Sequence, residues 1–496
     1  MTRPSDHRRP EILLTPEAMA RVDAATSSSG IDSFGLMLRA GEAVAAAALR
    51  HFPGALRFVI LCGPGNNGGD GYVAASALAR AGADVRVHSL VETAALKGDA
   101  ARAQAACPLP VMAIEQFHPD AGEVIIDALF GAGLRRELPA AVQALIRTIQ
   151  EAGLPVLAVD LPSGIDGATG EIRGEAFEAS HTVTFMTRKP GHVLLPGRLH
   201  CGSLEVFDIG IPRRIVQAEA RPLWINGPAI WAPHVRYGSA HDHKYRRGHV
   251  TVFSGPQTAT GAGRLSAEAA LRAGAGLVTL ASPSEALATN AAHLTAVMLS
   301  AVDGVDALSE WLADTRRTTF VLGPGFGDRQ RARAFAEMIG QAGRKLVLDA
   351  DGITAFAGAA KRLNARFGSD EPRLVVTPHE GEFSRLFPEI AADRSLGKVE
   401  KALAAADALG GIVVYKGADT VIAAPDGRAG IEEEAPATLA TAGSGDVLAG
   451  IIGARLANGM PAFEAACAAV YQHGQAALRA GRTLTAEDLI TQIQAD

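Results

Sequence analysis

The chain contains the stretch Thr441-Ala-Gly-Ser-Gly-Asp-Val-Leu-Ala-Gly450, which places small residues and one carboxylate ahead of an apolar run. Gly443 and Gly445 can adopt backbone angles that are closed to other residues, so neighbouring N–H groups can point at an anion. The run from Val447 to Leu456 predicts a helix, and the amino terminus of a helix attracts negative charge. The pattern therefore predicts a phosphate-binding loop at the start of a helix.

Asp446 is the one acidic residue of this loop. Its charge opposes that of a phosphate, which favours a role in proton transfer or one that faces a metal ion. The alternative is that Gly-Ser-Gly forms a tight turn and that Asp446 caps the helix by accepting a free N–H. The loop by itself leaves both interpretations open.

Length and composition indicate an ordinary globular protein with more than one core. A chain of 496 residues is too long for one core, so we expect two or three domains. Apolar residues make up 48% and charged residues 20%, which argues against disorder. With 47 Lys and Arg against 53 Asp and Glu, the chain has no basic field for nucleic acid or an anionic membrane, which favours small ligands.

The four cysteines have neither the spacing of a zinc site nor that of a disulfide framework, and they stand at Cys62, Cys107, Cys201 and Cys467. We therefore expect a reducing, cytoplasmic environment. No apolar segment is long enough for a signal peptide or a membrane span, so we expect a soluble protein.

The first part of the chain has the pattern of a β-α-β unit. A predicted strand over 58–62 precedes a glycine-rich loop over 63–71, an alanine-rich helix and a second strand over 85–88. An NAD-dependent dehydrogenase would carry an acid at the end of that second strand, but His88 and Ser89 stand there. The sequence therefore argues against hydride transfer.

Polar residues follow several predicted strands of this half. Asn67, Asp127, Asp160 and Ser163 all stand where a strand ends, and the carboxyl ends of parallel strands meet along one sheet edge. We therefore expect these side chains to converge on a ligand. Each acid taken alone is also typical of a turn or a cap.

Three motifs of this half resemble those of the NAD(P)H-hydrate epimerase domain, which has a Rossmann-like three-layer fold. They are Gly65-Asn-Asn-Gly-Gly-Asp-Gly71, Asp127-Ala-Leu-Phe-Gly-Ala-Gly133 and Asp160-Leu-Pro-Ser-Gly-Ile-Asp166, within a domain predicted over 10–212. The resemblance implies contacts to the hydrated cofactor from Asn66, Asn67, Gly68, Gly69, Asp70, Gly131, Ala132, Gly133, Leu134, Arg135, Arg136, Glu137 and Asp160.

The same resemblance implies a potassium ion held by Asn67, Asp127 and Ser163, and oxygen ligands suit such a hard cation. It also makes Asp160 the residue expected to do acid or base work at the epimerising carbon.

Residues 213–240 lose clear periodicity, which predicts a linker before a second domain over 241–496. The segment from His241 to His249 contains three histidines, but their basic neighbours favour solvated side chains over a metal site. Apolar strands then alternate with helices and glycine loops, which predicts a second doubly wound α/β sheet.

Motifs of the second half resemble those of ADP/ATP-dependent NAD(P)H-hydrate dehydratases, which belong to the ribokinase-like superfamily. They are Gly323-Pro-Gly-Phe-Gly327, Thr377-Pro-His-Glu-Gly-Glu382, Lys416-Gly417 and the loop from Gly443 to Asp446. The resemblance implies hydrate contacts at Ala262, Gly325, His379 and Asp446, and nucleotide contacts at Lys416, Gly417, Ala418, Asp419, Thr420 and Gly445. Asp446 is then the expected base, with Mg²⁺ bridging the phosphates.

Together the two resemblances imply a bifunctional repair enzyme. Its first domain would interconvert the R and S forms of NADHX and NADPHX, and its second would dehydrate the S form at the expense of ADP or ATP. We expect a homo-oligomer that binds neither nucleic acid nor membranes. Two alternatives stay open: a small-alcohol kinase of the ribokinase type with a regulatory first domain, and a first domain that is a ligand sensor or scaffold without catalysis.

Overall fold

The computed structural model describes residues 9–236 and 244–494. These residues form two compact units, one over Ile12–Leu223 and one mainly over Trp224–Asp496. In each unit helices cover a sheet whose strands are parallel or mainly parallel, so the predicted α/β class with two doubly wound domains is confirmed.

The first unit alternates strands with helices. Its strands are β1 (Arg57–Cys62), β2 (Val85–Ser89), β3 (Val111–Ala113), β4 (Glu123–Ala128), β5 (Val156–Val159), β6 (His181–Phe185) and β7 (Ser203–Phe207). Its helices are α1 (Pro16–Ser28), α2 (Ser33–His51), α3 (Asn66–Arg80), α4 (Gly98–Ala106), α5 (Ala140–Glu151), α6 (Gly197–His200) and α7 (Arg213–Glu219).

The strands of this unit pair in the order β3-β2-β1-β4-β5-β6-β7, and every pair is parallel. The strand order reverses between β1 and β4, which is where an open parallel sheet forms a ligand crevice. The loop after β1 approaches the start of α3 so closely that a Cβ on Gly68 would lie 2.0 Å from the carbonyl oxygen of Gly63. A glycine is therefore required at this position.

The second unit repeats the alternation. Its strands are β8 (Leu223–Ile225), β9 (His249–Phe253), β10 (Leu277–Ser282), β11 (Met298–Ala301), β12 (Thr319–Leu322), β13 (Lys345–Leu348), β14 (Leu374–Val376), β15 (Ile412–Tyr415), β16 (Val421–Ala423) and β17 (Ala429–Ile431). Its helices are α8 (Pro228–Trp231), α9 (Gly261–Arg272), α10 (Leu287–Ala291), α11 (Val305–Ala313), α12 (Arg329–Gln341), α13 (Asp351–Thr354), α14 (Ala360–Phe367), α15 (Glu380–Leu386), α16 (Pro388–Ala392), α17 (Lys398–Leu409), α18 (Ser444–Ala457), α19 (Ala462–Ala480) and α20 (Ala486–Thr491).

These strands pair in the order β11-β10-β9-β12-β13-β14-β15-β16-β17-β8. The pairs from β11 to β15 are parallel, whereas β15, β16 and β17 pair antiparallel. The order reverses at β9, so the loops after β9 and β12 flank the crevice of this sheet.

Helix α18 lies in the core of the second unit and fixes the Gly443 loop at its start. Most of its residues are buried, and it packs against α9 so closely that a Cβ on Gly450 would lie 2.1 Å from the carbonyl oxygen of Ser266. The glycine thus allows the two helices to touch, and the buried helix holds the loop in place.

Local signals predicted several elements well. Thr15 is the N-cap of α1, where its side chain accepts a hydrogen bond from Ala18 N and Pro16 follows in the first turn, as predicted. Helix α9 begins at Gly261 and ends at Arg272, as expected from the sequence.

The segment predicted as a linker contains regular structure. Helix α7, strand β8 and helix α8 lie between 213 and 231, and the side chains of Ile230 and Trp231 are buried in the core of the second unit. The contact pattern divides the chain between Leu223 and Trp224. Trp224, Pro228 and Trp231, which stand where the periodicity is lost, are therefore part of short elements.

Of the three histidines from 241 to 249 that were expected to be solvated, the structure describes His249. His241 and His243 lie outside the described residues. His249 was expected to be solvated, but it is buried in β9, where its Nε2 lies 2.8 Å from Thr279 Oγ1. The side chain is therefore satisfied inside the fold, because a strand and not a polar connector carries it.

All four cysteines are unpaired, as the sequence predicted. In the two described ranges, no helix combines the length and the apolarity that crossing a membrane requires.

Candidate active sites

The candidate site of the first unit lies at the carboxyl edge of its sheet. Asn67 is in the first turn of α3, Asp127 is in β4 and Asp160 directly follows β5. A Cβ on Gly131 would lie 2.8 Å from Asp160 Oδ2 and 3.1 Å from Asn67 Oδ1, so both side chains lie against this glycine. The structure therefore brings together Asn67 and Asp160, two of the four residues that were expected to converge at the strand ends.

Asp160 is the most constrained of these residues. Its φ of 65° is rare for a residue with a side chain, and such strain is common at functional sites. Oδ2 accepts a hydrogen bond from Ala132 N at 2.9 Å, and Oδ1 accepts from Thr184 Oγ1 at 2.9 Å and from Lys189 Nζ at 2.5 Å. The carboxylate is thus held from three directions.

Lys189 determines the charge of Asp160. The lysine side chain is only 3% exposed, whereas 18% of the Asp160 side chain is exposed and can meet a ligand. Burial by itself raises the pKa of Asp160, but the adjacent Lys189 ammonium and the hydrogen bond from Ala132 lower it to about 2. Asp160 is therefore an anion at neutral pH.

His192 connects this ion pair to the backbone. Its Nδ1 accepts a hydrogen bond from Lys189 N at 2.9 Å, and its Nε2 lies 2.7 Å from the carbonyl oxygen of Asp160. Because Nδ1 is an acceptor, Nε2 carries the ring proton and donates a hydrogen bond to the carbonyl oxygen of Asp160. Burial and the nearby Lys189 lower the pKa of His192 to about 4, so the ring is neutral.

The sequence analysis assigned no role to Thr184, Lys189 or His192. All three follow β5 by more than twenty residues, within or just after β6, so no local motif joins them to Asp160. Only the pairing of β5 with β6 places them beside it.

Asp127 and Ser163 are in direct contact. Ser163 Oγ donates to Asp127 Oδ1 at 2.6 Å, and Ser163 N donates to Oδ2 at 2.7 Å. Burial raises the pKa of Asp127 to about 6, although the hydrogen bonds from Ser163 and Leu129 oppose this shift. Asn67 Nδ2 is buried without a hydrogen-bond partner, which leaves one polar atom of the predicted set unsatisfied.

The other residues expected to contact the hydrate differ in position. Asp70 is buried, and burial together with the charge of Asp160 raises its pKa well above the ordinary value. Leu134 packs into the apolar core, whereas the Arg135 side chain is exposed and pairs with Glu17 at 2.5 Å. The remaining members are the buried Gly68, Gly69 and Ala132, the half-buried Gly131, and the exposed Asn66, Gly133, Arg136 and Glu137.

In the second unit, the candidate site is a cluster of charges near the start of α18. Lys416 Nζ donates to Asp349 Oδ1 at 3.0 Å and lies 3.9 Å from Glu382 Oε2. Asp349 Oδ1 also accepts from Thr377 Oγ1 at 2.7 Å. A Cβ on Gly445 would lie 3.3 Å from Lys416 Nζ, so the glycine loop and the lysine are adjacent.

Asp446 is the third residue of α18 and makes no capping bond. The N-cap is Gly443, whose φ is 85°, so the alternative in which Asp446 caps the helix is wrong. Burial and the charges of Asp349 and Glu382 raise the pKa of Asp446 to about 7, while Lys416 acts in the opposite direction. Asp446 can therefore exchange a proton near neutral pH.

The remaining hydrate contacts expected in this unit lie at loop and helix ends. His379 is the exposed N-cap of α15, and its Nε2 lies 3.4 Å from Glu382 Oε1. Gly325 has a φ of 62°, and a Cβ on it would lie 3.2 Å from Ala262 Cβ. Ala262 and Gly325 are thus adjacent, and His379 contacts the charge cluster through Glu382.

The predicted nucleotide segment 416–420 forms the turn between β15 and β16. Thr420 Oγ1 closes this turn by donating to Gly417 O at 2.7 Å and accepting from Gly417 N at 3.1 Å. Asp419 forms an ion pair with Lys398, a residue that the sequence analysis did not select. Glu382 ends one of the quoted motifs, but the sequence analysis gave no role to it or to Asp349, because the contacts that define their role span distant parts of the chain.

Two family models match this chain, one in each half. The family model for the YjeF-related protein N-terminus matches residues 33–191, and the Carb_kinase model, described as NAD(P)H-hydrate dehydratase, matches residues 250–495. The chain therefore joins two α/β domains, one from each of these families.

Curated relatives extend over almost the whole chain. A protein of Coxiella burnetii is 36% identical over 94% of this chain and 95% of its own, and one of Escherichia coli is 33% identical over 94% and 90%. Both are named bifunctional NAD(P)H-hydrate repair enzyme Nnr. The chain belongs to this family of bifunctional NAD(P)H-hydrate repair enzymes.

Solved structures similar to this chain include an ADP/ATP-dependent NAD(P)H-hydrate dehydratase from Bacillus subtilis, co-crystallised with ATP and Mg²⁺. It is 25% identical, covers 55% of this chain and 96% of its own, and has a TM-score of 0.46. A ribokinase-like superfamily protein from Enterococcus faecalis is 23% identical, covers 55% and 94%, and has a TM-score of 0.46.

Proposed function

We propose that the chain repairs hydrated nicotinamide cofactors in two steps. The first unit interconverts the R and S forms of NADHX and NADPHX, and the second dehydrates the S form to NADH or NADPH at the expense of ADP or ATP. The observation that carries this proposal is the presence of a charged, partly open carboxylate site in each of two units that match the two families. Homo-oligomerisation and a cytoplasmic location remain predictions.

In the first unit we assign the proton chemistry to Asp160 and Lys189. Inverting a carbon that carries a hydroxyl requires one bond at this carbon to break and to re-form on the other face, and a proton acceptor and a proton donor can assist both changes. Lys189 Nζ is a donor 2.5 Å from Asp160 Oδ1, and Asp160 is the more exposed partner. Asp160 therefore faces the substrate as an anion, and Lys189 holds it in place and can supply a proton.

Potassium binding by Asn67, Asp127 and Ser163 is compatible with the donor set. All three offer oxygen, which suits a hard cation, and Asp127 supplies the single formal charge. The ion would supply a fixed positive charge that orients a negatively charged part of the substrate. Ser163 Oγ donates to Asp127 Oδ1 and accepts from Phe130 N, which leaves one of its two lone pairs for the ion.

In the second unit we assign Asp446 as the base. Its raised pKa of about 7 suits a proton acceptor that works near neutral pH, and the adjacent α18 amino terminus stabilises negative charge. Lys416 contributes a positive charge beside Gly445, where a nucleotide phosphate would lie. Phosphorylating a poorly leaving hydroxyl before elimination would explain the need for ADP or ATP.

Magnesium is compatible with the carboxylates of the same cluster. Asp349 and Glu382 both lie within 4 Å of Lys416 Nζ and both act on the pKa of Asp446, so the three acids share one neighbourhood. Oxygen ligands of this kind suit Mg²⁺, which also binds phosphates. The ion would neutralise charge on the phosphates of the nucleotide.

Recovery of reduced nicotinamide absorbance from mixed hydrates of NADH tests the proposal. With ADP or ATP and Mg²⁺, we expect the wild-type protein to return both isomers to NADH. The Asp160→Ala variant should return the S isomer and leave the R isomer to spontaneous epimerisation. A small-alcohol kinase would consume ATP with an alcohol and restore no absorbance, which would overturn the proposal.

A further inference from the structure

A second cluster of polar side chains lies on the first unit, away from the carboxyl edge of the sheet. His51 ends α2, His181 begins β6 and Glu205 lies in β7. Glu205 Oε1 is 2.7 Å from His51 Nε2 and 3.4 Å from His181 Nε2, and the three ligand atoms lie within 4.8 Å of one another. Three elements thus contribute one donor atom each.

The environment of His181 indicates a missing partner. Its residue surface is only 4% exposed, and Nε2 is buried without a hydrogen bond. Buried polar atoms usually have a partner, so an unsatisfied Nε2 that faces a carboxylate oxygen and a second imidazole requires an explanation. A cation between the three atoms would provide it.

The remaining contacts leave the cluster open on one side. Arg50 Nη2 occupies Glu205 Oε2 at 2.5 Å, so Oε1 alone faces the two histidines. Arg50 Nε lies 3.4 Å from His51 Nε2, and the half-exposed Arg50 side chain can move away. The His51 side chain is 33% exposed, which gives an ion and a water molecule access to the cluster.

We propose that His51, His181 and Glu205 form a binding site for a divalent transition-metal cation, with Zn²⁺ as the best match. Two imidazole nitrogens and one carboxylate oxygen are a frequent three-ligand set for Zn²⁺, with water in the fourth position. In a tetrahedral site the ligand atoms are about 3.3 Å apart, since each bond is about 2.0–2.1 Å. The 3.4 Å distance already fits, the 2.7 Å distance must open, and the two imidazole rings, which stack with centroids 3.8 Å apart, must rotate until both Nε2 atoms face the ion.

The proposed site differs from the potassium site in position and in chemistry. His181 is the first residue of β6, whereas Thr184, three residues further, contacts Asp160. At about 3.3 Å per residue, the two ends of this segment are about 10 Å apart. Nitrogen ligands disfavour K⁺ and Mg²⁺. The site would therefore tie the end of α2 to β6 and β7 without entering the reaction.

Zinc titration of the metal-free full chain, made without an affinity tag, tests the proposal. The titration uses a background with His241→Asn and His243→Asn. These changes remove two histidines that stand two residues apart in the sequence and could bind zinc themselves. Competition with a chromophoric chelator should give one Zn²⁺ per chain. His51→Asn and Glu205→Gln should each weaken binding by at least the roughly 10- to 100-fold that changes outside the ligand set cost.

The control is His293→Asn, which changes an exposed histidine of the second unit and should leave zinc affinity unchanged. Cobalt should give a tetrahedral visible spectrum in the background protein and lose it in His51→Asn. Zinc should also raise the unfolding temperature of the background protein but not of His51→Asn. Absence of stoichiometric zinc binding, or binding that both ligand variants leave intact, would overturn the site.

Discussion

Asp160 and Asp446 both lie near a lysine in an α/β unit, yet their pKa values shift in opposite directions, to about 2 and about 7. Burial is the largest influence on both and raises both values. What differs is the partner of each lysine. Lys189 donates directly to Asp160 at 2.5 Å, whereas Lys416 donates to Asp349 at 3.0 Å.

The difference teaches that the partner of the nearby lysine decides which proton chemistry a carboxylate can do. Asp160 stays an anion over the whole physiological range, so it is ready to accept a proton while Lys189 holds it in place. Asp446 feels the negative charges of Asp349 and Glu382 as well as Lys416, so it exchanges its proton near neutral pH. The same residue type thus serves two functions.

The largest expected effect is that of Asp446→Asn. The amide preserves the shape of the side chain but cannot accept a proton, so dehydration should fall by about 10²- to 10⁴-fold. Nucleotide affinity and the epimerisation rate should stay near wild type. Single-turnover recovery of NADH from the S isomer measures the loss, and near wild-type turnover would contradict the assignment of Asp446.

Lys189→Met should remove the ion pair that keeps Asp160 charged. It leaves Asp160 half-buried without its cation, and an uncompensated buried charge costs about 3–5 kcal/mol. The pKa of Asp160 should rise, because burial then prevails. We expect a large fall in the epimerisation rate and a lower urea midpoint at pH 7.

Linkage gives the sign of the pH dependence in that experiment. In the wild type, the depressed pKa of Asp160 contributes stability above the unfolded value near 3.9, and this stability is lost as pH falls towards 2. In Lys189→Met the raised pKa should reverse the dependence, so the variant should lose less stability than wild type between pH 7 and pH 4. Equal losses would show that Lys189 does not set the charge of Asp160.

A smaller effect is expected on the pH profile of dehydration. If Asp446 is the base, the rate should rise with pH through about 7, because the ionised form is active. Asp349→Asn removes a negative charge and frees Lys416, so the midpoint should move to lower pH, on the order of one unit. Lys416→Met should move it to higher pH.

The two variants are controls for one another, because both disturb the same ion pair but change the charge in opposite directions. Profiles at saturating nucleotide separate the midpoint from any loss of affinity. If both variants shifted the midpoint of the pH profile in the same direction, a group other than Asp446 would set that midpoint.

The sequence located the two carboxylates but not their charges. Asp446 was placed at a helix start and Asp160 after a strand, because both positions follow from local patterns. Lys189 is 29 residues from Asp160 and Lys416 is 67 residues from Asp349, so only the folded sheets join them. A pKa that depends on such contacts cannot be predicted from a local motif.

Two kinds of secondary structure were also difficult to predict. Strand β6 is buried along its whole length, yet its sequence His-Thr-Val-Thr-Phe alternates polar and apolar residues, as an exposed strand would. The segment predicted as a linker lost periodicity because the elements in its described part, 213–236, are only three to seven residues long. Strand β1, which has a long apolar run, was predicted nearly to the residue.

The smallest expected effect concerns potassium in the first unit. Replacing K⁺ with tetramethylammonium should slow epimerisation several-fold and leave dehydration of the S isomer unchanged. Asp127→Asn should mimic this loss, since it removes the only formal charge among Asn67, Asp127 and Ser163 while keeping the size of the side chain.

The Asp127 variant needs a folding control, because its amide presents a donor where Ser163 N now donates to Oδ2 at 2.7 Å. That conflict costs about 1–3 kcal/mol, which a urea titration would detect. If the variant is folded and both its rate and the wild-type rate are indifferent to the cation, Asp127 only holds Ser163 in place. The electrostatic partner of Asp160 would then be Lys189 alone, and the contrast with Asp446 would rest on that single contact.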